Sequence, residues 1–379
     1  MSAPRLAAFY FAHFAHSGLF IGYFPLYLAA RGLAPIELAW VLALPQLARI
    51  VAPPAWGWLA DRTGSQRGIV MFGCAAACAG FALLPLVHGA WAIGLLVAAA
   101  SRLAAGALPL VEAMTLAAVV ARPGRYGPIR LWGSLGFIAT VLGGGAWLDA
   151  YPVHALPLPL ALAAGGAFAA AALLPAGPGR IGGTPGAAPR MARLRLSTPM
   201  ALLLAAGFCM ASAHGTLYAF LSLHLERTGY SGTSIGLLWT LGVLAEIAVF
   251  LWLPFLFRRF SLASLLEASF ACAVVRFLAI GWLAGEWWLL VAAQLLHAAT
   301  FGAFHAASVA AVQRVFPAAA QARGQALFSG VTYGAGGAVG ALAAGWTWQA
   351  AGAGAAFSLA ALAGLVGLVL ARRLKRVAL

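Results

Sequence analysis

Ionisable side chains inside long apolar stretches are the residues of this sequence with the greatest potential for chemistry. Glu246, Arg49 and Arg276 each lie near the middle of such a stretch. An unpaired charge at the centre of a bilayer costs about 3 kcal/mol on insertion scales, so each of these side chains must pair or face water. A carboxyl group beside an arginine can link proton binding to the binding of a second ligand. These residues therefore predict proton chemistry inside a membrane, with Glu246 as the first candidate for the proton carrier.

Further titratable and aromatic residues lie on the same kind of apolar helix. Glu112, His297 and His305 are additional candidates for proton coupling, because a neutral imidazole can relay a proton near neutral pH. The residues predicted to contact a bound solute are arginines, histidines and aromatic residues, namely Arg49, Arg102, Arg276, His16, Tyr23, His214, Tyr218, Trp239 and Phe301. For each of them the alternative is a structural role in helix packing. For Glu112, pairing with Arg130 in the following stretch is equally open.

The composition places these residues in a membrane protein. Of the 379 residues, 63% are hydrophobic and 8% are charged, whereas an average soluble protein carries about 25% charged residues. So few charges cannot cover a soluble chain of this length. This excludes a soluble enzyme, a disordered protein and a coiled coil, and it makes lipid the main solvent of the chain.

The net charge of +15 would suggest a nucleic-acid partner in a soluble protein. Here the basic residues lie between apolar stretches and form no patch with interleaved aromatics, so no nucleic acid is expected. The four cysteines (Cys74, Cys78, Cys209 and Cys272) lie inside apolar stretches. With no histidine or acid near them, they predict buried thiols rather than a metal site. We expect no metal and no cofactor.

Twelve apolar stretches are long enough to cross a bilayer as helices, which requires about 20 residues each. They cover residues 6–30, 36–60, 68–87, 91–120, 130–149, 157–175, 199–224, 232–257, 262–284, 288–312, 324–348 and 353–371. The predicted fold class is therefore an all-α integral membrane protein with twelve transmembrane helices. A stretch rich in Gly, Pro and Arg, residues 176–197, predicts a cytoplasmic linker between an N-terminal six-helix bundle (1–175) and a C-terminal one (198–379).

The two halves of the sequence also resemble each other weakly. An offset of 197 residues places Gly32, Leu38, Leu44, Leu47, Ala48 and Ile50 on Gly229, Ile235, Leu241, Leu244, Ala245 and Ile247. The same offset places Arg49 on Glu246, so equivalent sites carry opposite charges. Two related six-helix halves are typical of secondary transporters.

The basic residues predict the orientation of the chain. Eighteen of the 23 Lys and Arg residues lie in loops and termini on the side of both chain ends, whereas only Arg31 and Arg227 lie in the opposite loops. Basic loops stay in the cytoplasm. We therefore expect a multi-pass protein of the inner (cytoplasmic) membrane with both termini in the cytoplasm.

The loop after the second apolar stretch reads G-W-L-A-D-R-T-G-S-Q-R and contains Gly57, Asp61, Arg62, Gly64 and Arg67. In physical terms, Gly57 would let two helices approach, Asp61 could bond an arginine or a helix N-terminus, and Gly64 would permit a tight turn. This loop resembles the G-x-L-a-D-R-x-G-x-x-R signature of the major facilitator superfamily. The resemblance implies a gating motif that breaks when the two halves of a transporter rock.

Several other segments resemble one particular group within this superfamily. They are Phe9-Tyr10-Phe11, Gly18-Leu19-Phe20, Arg49–Pro53, Pro109–Ala113, Tyr126-Gly127, Arg130–Phe137, His297–His305, Arg323–Leu327 and Tyr333-Gly334. Together they resemble the 3-phenylpropionate transporter group, which is related to the lactose-permease and nucleoside–proton symporter branches.

The resemblance implies a proton-coupled symporter, not an enzyme, that imports a small organic solute by alternating access. An aromatic carboxylate such as 3-phenylpropionate is the expected solute. A sugar or nucleoside proton symporter and a drug/proton antiporter of the same fold remain alternatives. The expected partners are the solute, protons and the lipid bilayer, and the expected state is a monomer.

Overall fold

The computed structural model describes residues 3–175 and 196–377, which fold almost entirely as helices. The predicted linker, 176–197, lies outside the described residues except for Leu196 and Ser197. No strand occurs in the two described ranges. The all-helical fold predicted from the composition is thus confirmed for this part of the chain.

The first described range contains seven α-helices. These are α1 (Ala3–Ala30), α2 (Pro35–Thr63), α3 (Gln66–Leu83), α4 (Gly89–Ala104), α5 (Ala107–Val119), α6 (Tyr126–Ala150) and α7 (Pro157–Ala172).

The second described range contains seven more. These are α8 (Thr198–Arg227), α9 (Gly232–Arg259), α10 (Leu262–Trp282), α11 (Trp287–Leu295), α12 (Phe304–Val315), α13 (Gln321–Ser329) and α14 (Gly337–Val377). Two π-helical segments, Ala298–Ala303 and Gly330–Gly336, follow α11 and α13.

Within residues 3–175 and 196–377, ten helical stretches are long and apolar enough to cross a membrane. One of them, Arg323–Val377, has 55 residues. At about 1.5 Å per residue it would be far longer than the roughly 30 Å apolar core of a bilayer. Gly352 interrupts it with a φ of 80° and a non-helical ψ. This break lies between residues 348 and 353, where the sequence predicts that one span ends and the next begins.

Contacts divide the described residues into two compact units. The first unit contains residues 3–33, 47–175 and 230–237, and the second contains residues 34–46, 196–229 and 238–377. The beginnings of α2 and α9 therefore each belong to a different unit from the remainder of the same helix.

Glycine allows close helix packing inside the first unit, where α1 runs along α6 and α3 packs against α7 and α4. A Cβ atom at Gly136 would overlap the backbone of Phe11. Membrane helices associate through small residues of this kind because their backbones can then touch. Phe9, Tyr10 and Val111 belong to the buried core beside this contact.

The second unit uses the same device, with α14 packed along α8 and α10. A Cβ atom at Gly340 would overlap the backbone of Ser212, and one at Gly336 would crowd the backbone of Phe208. This packing holds α8 and the segments after α13 in fixed register, and it positions the polar residues described next.

Candidate functional site

The buried polar residues of the second unit centre on Arg276 in α10. Its side chain is 1% exposed. It donates hydrogen bonds from Nε to the Ala293 carbonyl at 3.0 Å, from Nη2 to Gln294 Oε1 at 3.1 Å and from Nη1 to Thr300 Oγ1 at 3.0 Å. All three acceptors lie on α11 or the π-helical segment after it. Arg276 therefore ties this segment to α10.

This placement favours the structural alternative for Arg276 over the predicted contact with a solute. An arginine offers five N–H donors, and here three of them are already bound by neutral acceptors of the protein. The side chain is buried, so it offers no open face to a solute carboxylate.

Glu246 in α9 meets His297 at the start of the π-helical segment. Their closest side-chain atoms, Glu246 Oε2 and His297 Nε2, are 3.7 Å apart. A Cβ atom at Gly302 would lie 3.3 Å from Glu246 Cγ, so Gly302 packs closely against the Glu246 side chain. A π-helical turn commonly marks a functional position in a helix. The structure thus brings together two of the residues predicted to couple protons.

His214 in α8 joins this pair. Its ring centroid lies 5.9 Å from that of His297 and 6.0 Å from that of Phe301, and its Nδ1 is 2.9 Å from the Met210 carbonyl. The remaining ring nitrogens, His214 Nε2 and His297 Nδ1, are buried without a hydrogen-bond partner among the described residues. Buried polar atoms are normally paired. These two nitrogens are therefore suited to bind a buried water molecule.

Aromatic rings extend the cluster in two directions. Tyr218 stacks on Trp239 with ring centroids 6.2 Å apart, and Phe301 stacks on His297 at 5.2 Å. His305 Nδ1 lies 2.7 Å from the Tyr333 hydroxyl. The second unit consequently contains most of the residues predicted for proton coupling and solute contact, namely Glu246, Arg276, His214, Tyr218, Trp239, His297, Phe301 and His305.

Glu112 belongs to a second polar group, in the first unit. Its Oε1 accepts a hydrogen bond from the Tyr126 hydroxyl at 2.6 Å. The Arg130 guanidinium lies over the rings of Tyr10 and Phe14, at 5.2 and 4.3 Å from their centroids. Within the described ranges no ion pair joins Glu112 to Arg130. Pairing between them, one of the two alternatives for Glu112, is therefore not found here.

We expect Tyr126→Phe to lower the free energy of unfolding by about 1–2 kcal/mol, because the variant loses a hydrogen bond to a charged group. Thermal unfolding of the purified protein in detergent measures this change. Tyr151→Phe is the matched control, since Tyr151 is exposed and contacts Trp147 through its ring. An equal loss of stability in both variants would contradict a specific Tyr126–Glu112 bond.

The remaining predicted solute contacts have other surroundings. His16 Nδ1 lies 3.2 Å from the Leu160 carbonyl, and the Tyr23 hydroxyl donates to the Val141 carbonyl. Both contacts join helices, which favours the structural alternative for these two residues. Arg49 and Arg102 are exposed on α2 and α4 in the first unit.

The residues predicted to form a gating motif lie at the end of α2, in the turn after it and at the start of α3. Gly64 has a φ of 68°, a conformation that favours glycine, so the predicted tight turn is confirmed. Asp61 and Arg62 are exposed, and the Arg62 guanidinium lies 5.2 Å from the Trp58 ring. A Cβ atom at Gly57 would meet nothing within 4 Å, so the described residues show no close helix approach there, and the helix approach at Gly57 stays a prediction.

Sequence reasoning missed several residues that the structure places in these groups. Thr300 is one of them, although a polar uncharged residue in an apolar stretch is a recognisable signal. Gln294 lies on a polar stripe that the sequence shows, but its hydrogen bond with Arg276 could not be predicted from that stripe. Arg130 was expected to set the topology or to pair with Glu112, and its contacts with the rings of Tyr10 and Phe14 were not predicted. Tyr126 carries no signal of its own, because its contact with Glu112 depends on how α5 and α6 pack.

Comparisons with known proteins agree with the helical fold. The model of the MFS_1 like family matches residues 4–359. The chain is 28% identical over 379 residues to a protein described as a probable 3-phenylpropionic acid transporter of Escherichia coli (strain K12), covering 96% of this chain and 95% of that protein. It is also 28% identical over 380 residues to a maltose permease of Geobacillus stearothermophilus, covering 98% and 94%.

A solved structure has the same fold. The crystal structure of the nucleoside transporter NupG superposes with a TM-score of 0.81 at 17% sequence identity, and the match covers 99% of each chain. At this identity the likeness establishes the arrangement of the chain and not its solute.

Proposed function

The chain belongs to the MFS_1 like family of the major facilitator superfamily, and from this premise we propose that it is a proton-coupled symporter that imports a small aromatic carboxylate. Its relatives are membrane transporters and not enzymes. The proposal concerns three finer properties: the topology, the coupling to protons and the solute.

The proposed architecture has twelve transmembrane helices in two six-helix bundles, 1–175 and 198–379, joined by a cytoplasmic linker at 176–197. Two observations support twelve rather than ten. Helix α1 has 28 residues, enough to cross a bilayer, and Gly352 divides the 55-residue stretch in two. The distribution of basic residues supports an inner-membrane location with both termini in the cytoplasm. We propose that the protein acts as a monomer.

The contact between Glu246 and His297 carries the proposal of proton coupling. Moving a neutral carboxyl group through a conformational change inside a membrane costs less than moving a charged one. Protonation of Glu246 would remove its charge and change its contact with His297, which changes the site that faces the solute. Proton binding and solute binding at adjacent groups are then thermodynamically linked. Glu112 and His305 are the further candidates for the proton path.

The proposed solute is an aromatic carboxylate such as 3-phenylpropionate. The relative in Escherichia coli supports this class by its description, and the rings of Phe301, Trp239 and Tyr218 supply aromatic surface. Since Arg276 is engaged by protein acceptors, Arg49 and Arg102 are the arginines that we propose for the carboxylate.

Uptake into proteoliposomes tests this function. We expect labelled 3-phenylpropionate to accumulate when the lumen is more alkaline than the medium, and a protonophore to abolish the accumulation. Uptake that is independent of the gradient would overturn proton symport.

The alternative solute class is a sugar, which the 28% identity to a maltose permease favours. Labelled maltose and a labelled nucleoside are therefore used in the same vesicles. Gradient-driven accumulation of either one, without that of 3-phenylpropionate, would replace the proposed solute and keep the proposed coupling.

A further inference from the structure

Two short segments occupy equivalent positions in the two halves of the chain and belong to opposite units. Residues 34–46, at the start of α2, belong to the second unit, and residues 230–237, at the start of α9, belong to the first. The offset of 197 residues places 34–46 on 231–243. The start of the second span in each half therefore packs in the same way, against helices of the other half.

The two contacts use matching residues. A Cβ atom at Gly345 in α14 would crowd Ala39 and the backbone of Pro35. The offset places Pro35 on Gly232 and Ala39 on Gly236. Gly232 approaches the backbone of Gly145 in α6, and Gly236 approaches that of Val141.

One of the two contacts also carries a charge. The Asp149 carboxylate at the end of α6 accepts hydrogen bonds from the backbone N–H of Gly232 at 2.6 Å and of Thr233 at 2.9 Å. The first backbone N–H groups of a helix have no partner within the helix, and an acidic group near them is favoured by the helix dipole. Asp149, which is a residue of α6, thus binds the first turn of α9.

The other contact has no such group. The offset places Asp149 on Trp346, whose side chain is 72% exposed. At the start of α2, the Ala34 N–H is bound by Glu37 of the same helix, with a distance of 2.8 Å to Oε2. A carboxylate that binds the backbone of a neighbouring helix is therefore found at the contact between α6 and α9 and not at the equivalent contact at the start of α2.

The Asp149 contact is also easy to open and close. Asp149 and Thr233 are exposed, so water can replace each hydrogen-bond partner when the helices separate. Exposed charged contacts contribute little net stability for this reason. The close packing of Gly232 and Gly236 against α6 fixes the position to which the carboxylate returns when the helices meet again. Ser231 Oγ accepts a separate hydrogen bond from the Ser234 N–H at 3.2 Å, at the start of α9.

We propose that Asp149 is a latch of the transport cycle, whose bonds to Gly232 and Thr233 hold α9 against α6 on the membrane face opposite the chain termini. This inference rests on the proposed alternating-access function, in which α6 and α9 belong to different bundles. Rocking of the bundles would break the two bonds when this face opens and re-form them when it closes.

Cysteine labelling tests the latch without any solute or gradient. Val141 is 0% exposed beneath the contact, so Val141→Cys in a background with the four native cysteines replaced by serine reports opening of this face. A membrane-impermeant maleimide is added outside right-side-out vesicles. We expect Asp149→Ala to raise the labelling rate about three- to fivefold, the effect of losing charge-assisted but solvent-exposed hydrogen bonds. Asp149→Asn, which keeps one acceptor oxygen, should give a smaller increase.

Ser231→Ala is the matched control, because it weakens the start of the same helix without touching α6. Its labelling rate should stay within about twofold of the parent. In a separate variant that retains Cys74 alone (4% exposed), low labelling excludes general unfolding caused by Asp149→Ala.

Unchanged labelling in Asp149→Ala, or an equal rise in Ser231→Ala, would overturn the latch. The assay needs neither 3-phenylpropionate nor protons. Failure of the uptake experiment and failure of the latch are therefore separate results.

Discussion

Replacing Glu246 with glutamine is expected to abolish gradient-driven accumulation of the solute and to leave exchange of solute across the membrane largely intact. Glutamine has nearly the same shape, so it still fits against Gly302, and its amide can contact His297. It cannot bind and release a proton. Accumulation, which needs the proton, should fall to about the equilibrium level, whereas exchange, which does not, should change by less than about threefold.

The measurement compares two modes of transport in the same vesicles: uptake driven by a pH gradient, and exchange of labelled for unlabelled solute at equal pH. Glu267→Gln is the matched control, since Glu267 lies 3.4 Å from Lys375 Nζ in a more exposed contact. We expect this control to retain both modes. Equal loss of accumulation and exchange in Glu246→Gln would show that Glu246 is structural.

Arg276→Met is expected to lower the free energy of unfolding by about 2–3 kcal/mol, even without solute, because buried acceptors lose their donor. Methionine fills similar space but donates no hydrogen bond. The Gln294 and Thr300 side chains and the Ala293 carbonyl would then lose their donor inside the unit. An unsatisfied buried polar group costs about 1–3 kcal/mol. Thermal unfolding of the solute-free protein in detergent measures the effect.

Arg102→Met separates this structural role from that of an arginine that contacts solute. Arg102 is also an arginine within an apolar stretch, but its side chain is exposed, so its loss should change stability by less than about 0.5 kcal/mol. If Arg276→Met left stability unchanged and weakened only solute binding, Arg276 would be a residue that binds the solute and not a structural one.

Much of the fold could be predicted because its signals are properties of the chain taken residue by residue. Scarce charges and long apolar runs determine that the surroundings are lipid, and helices are then required to pair the backbone groups. The turn at Gly64 and the break near residue 352 were predictable because glycine marks backbone conformations that other residues avoid. The candidate proton carriers were predictable because a charged residue within an apolar stretch is costly in a membrane and usually has a function there.

Which side chains contact each other across helices was not predictable in the same way. Glu246 and His297 are far apart in sequence, and their meeting depends on the rotation and tilt of α9 and α11. The π-helical segment Ala298–Ala303 also shifts the phase of the residues that follow it, so an arc drawn at 100° per residue does not hold across it.

The sequence by itself thus determined that this protein is a helical membrane transporter and which charges and rings could serve its chemistry. Only the tertiary structure decided that Arg276 is engaged by its neighbours, that Glu246 lies against His297 and that Asp149 binds the start of α9. Burial and pairing depend on which helix faces meet, and the free energy of that choice is shared among many small packing contacts. No single residue determines which helix faces meet.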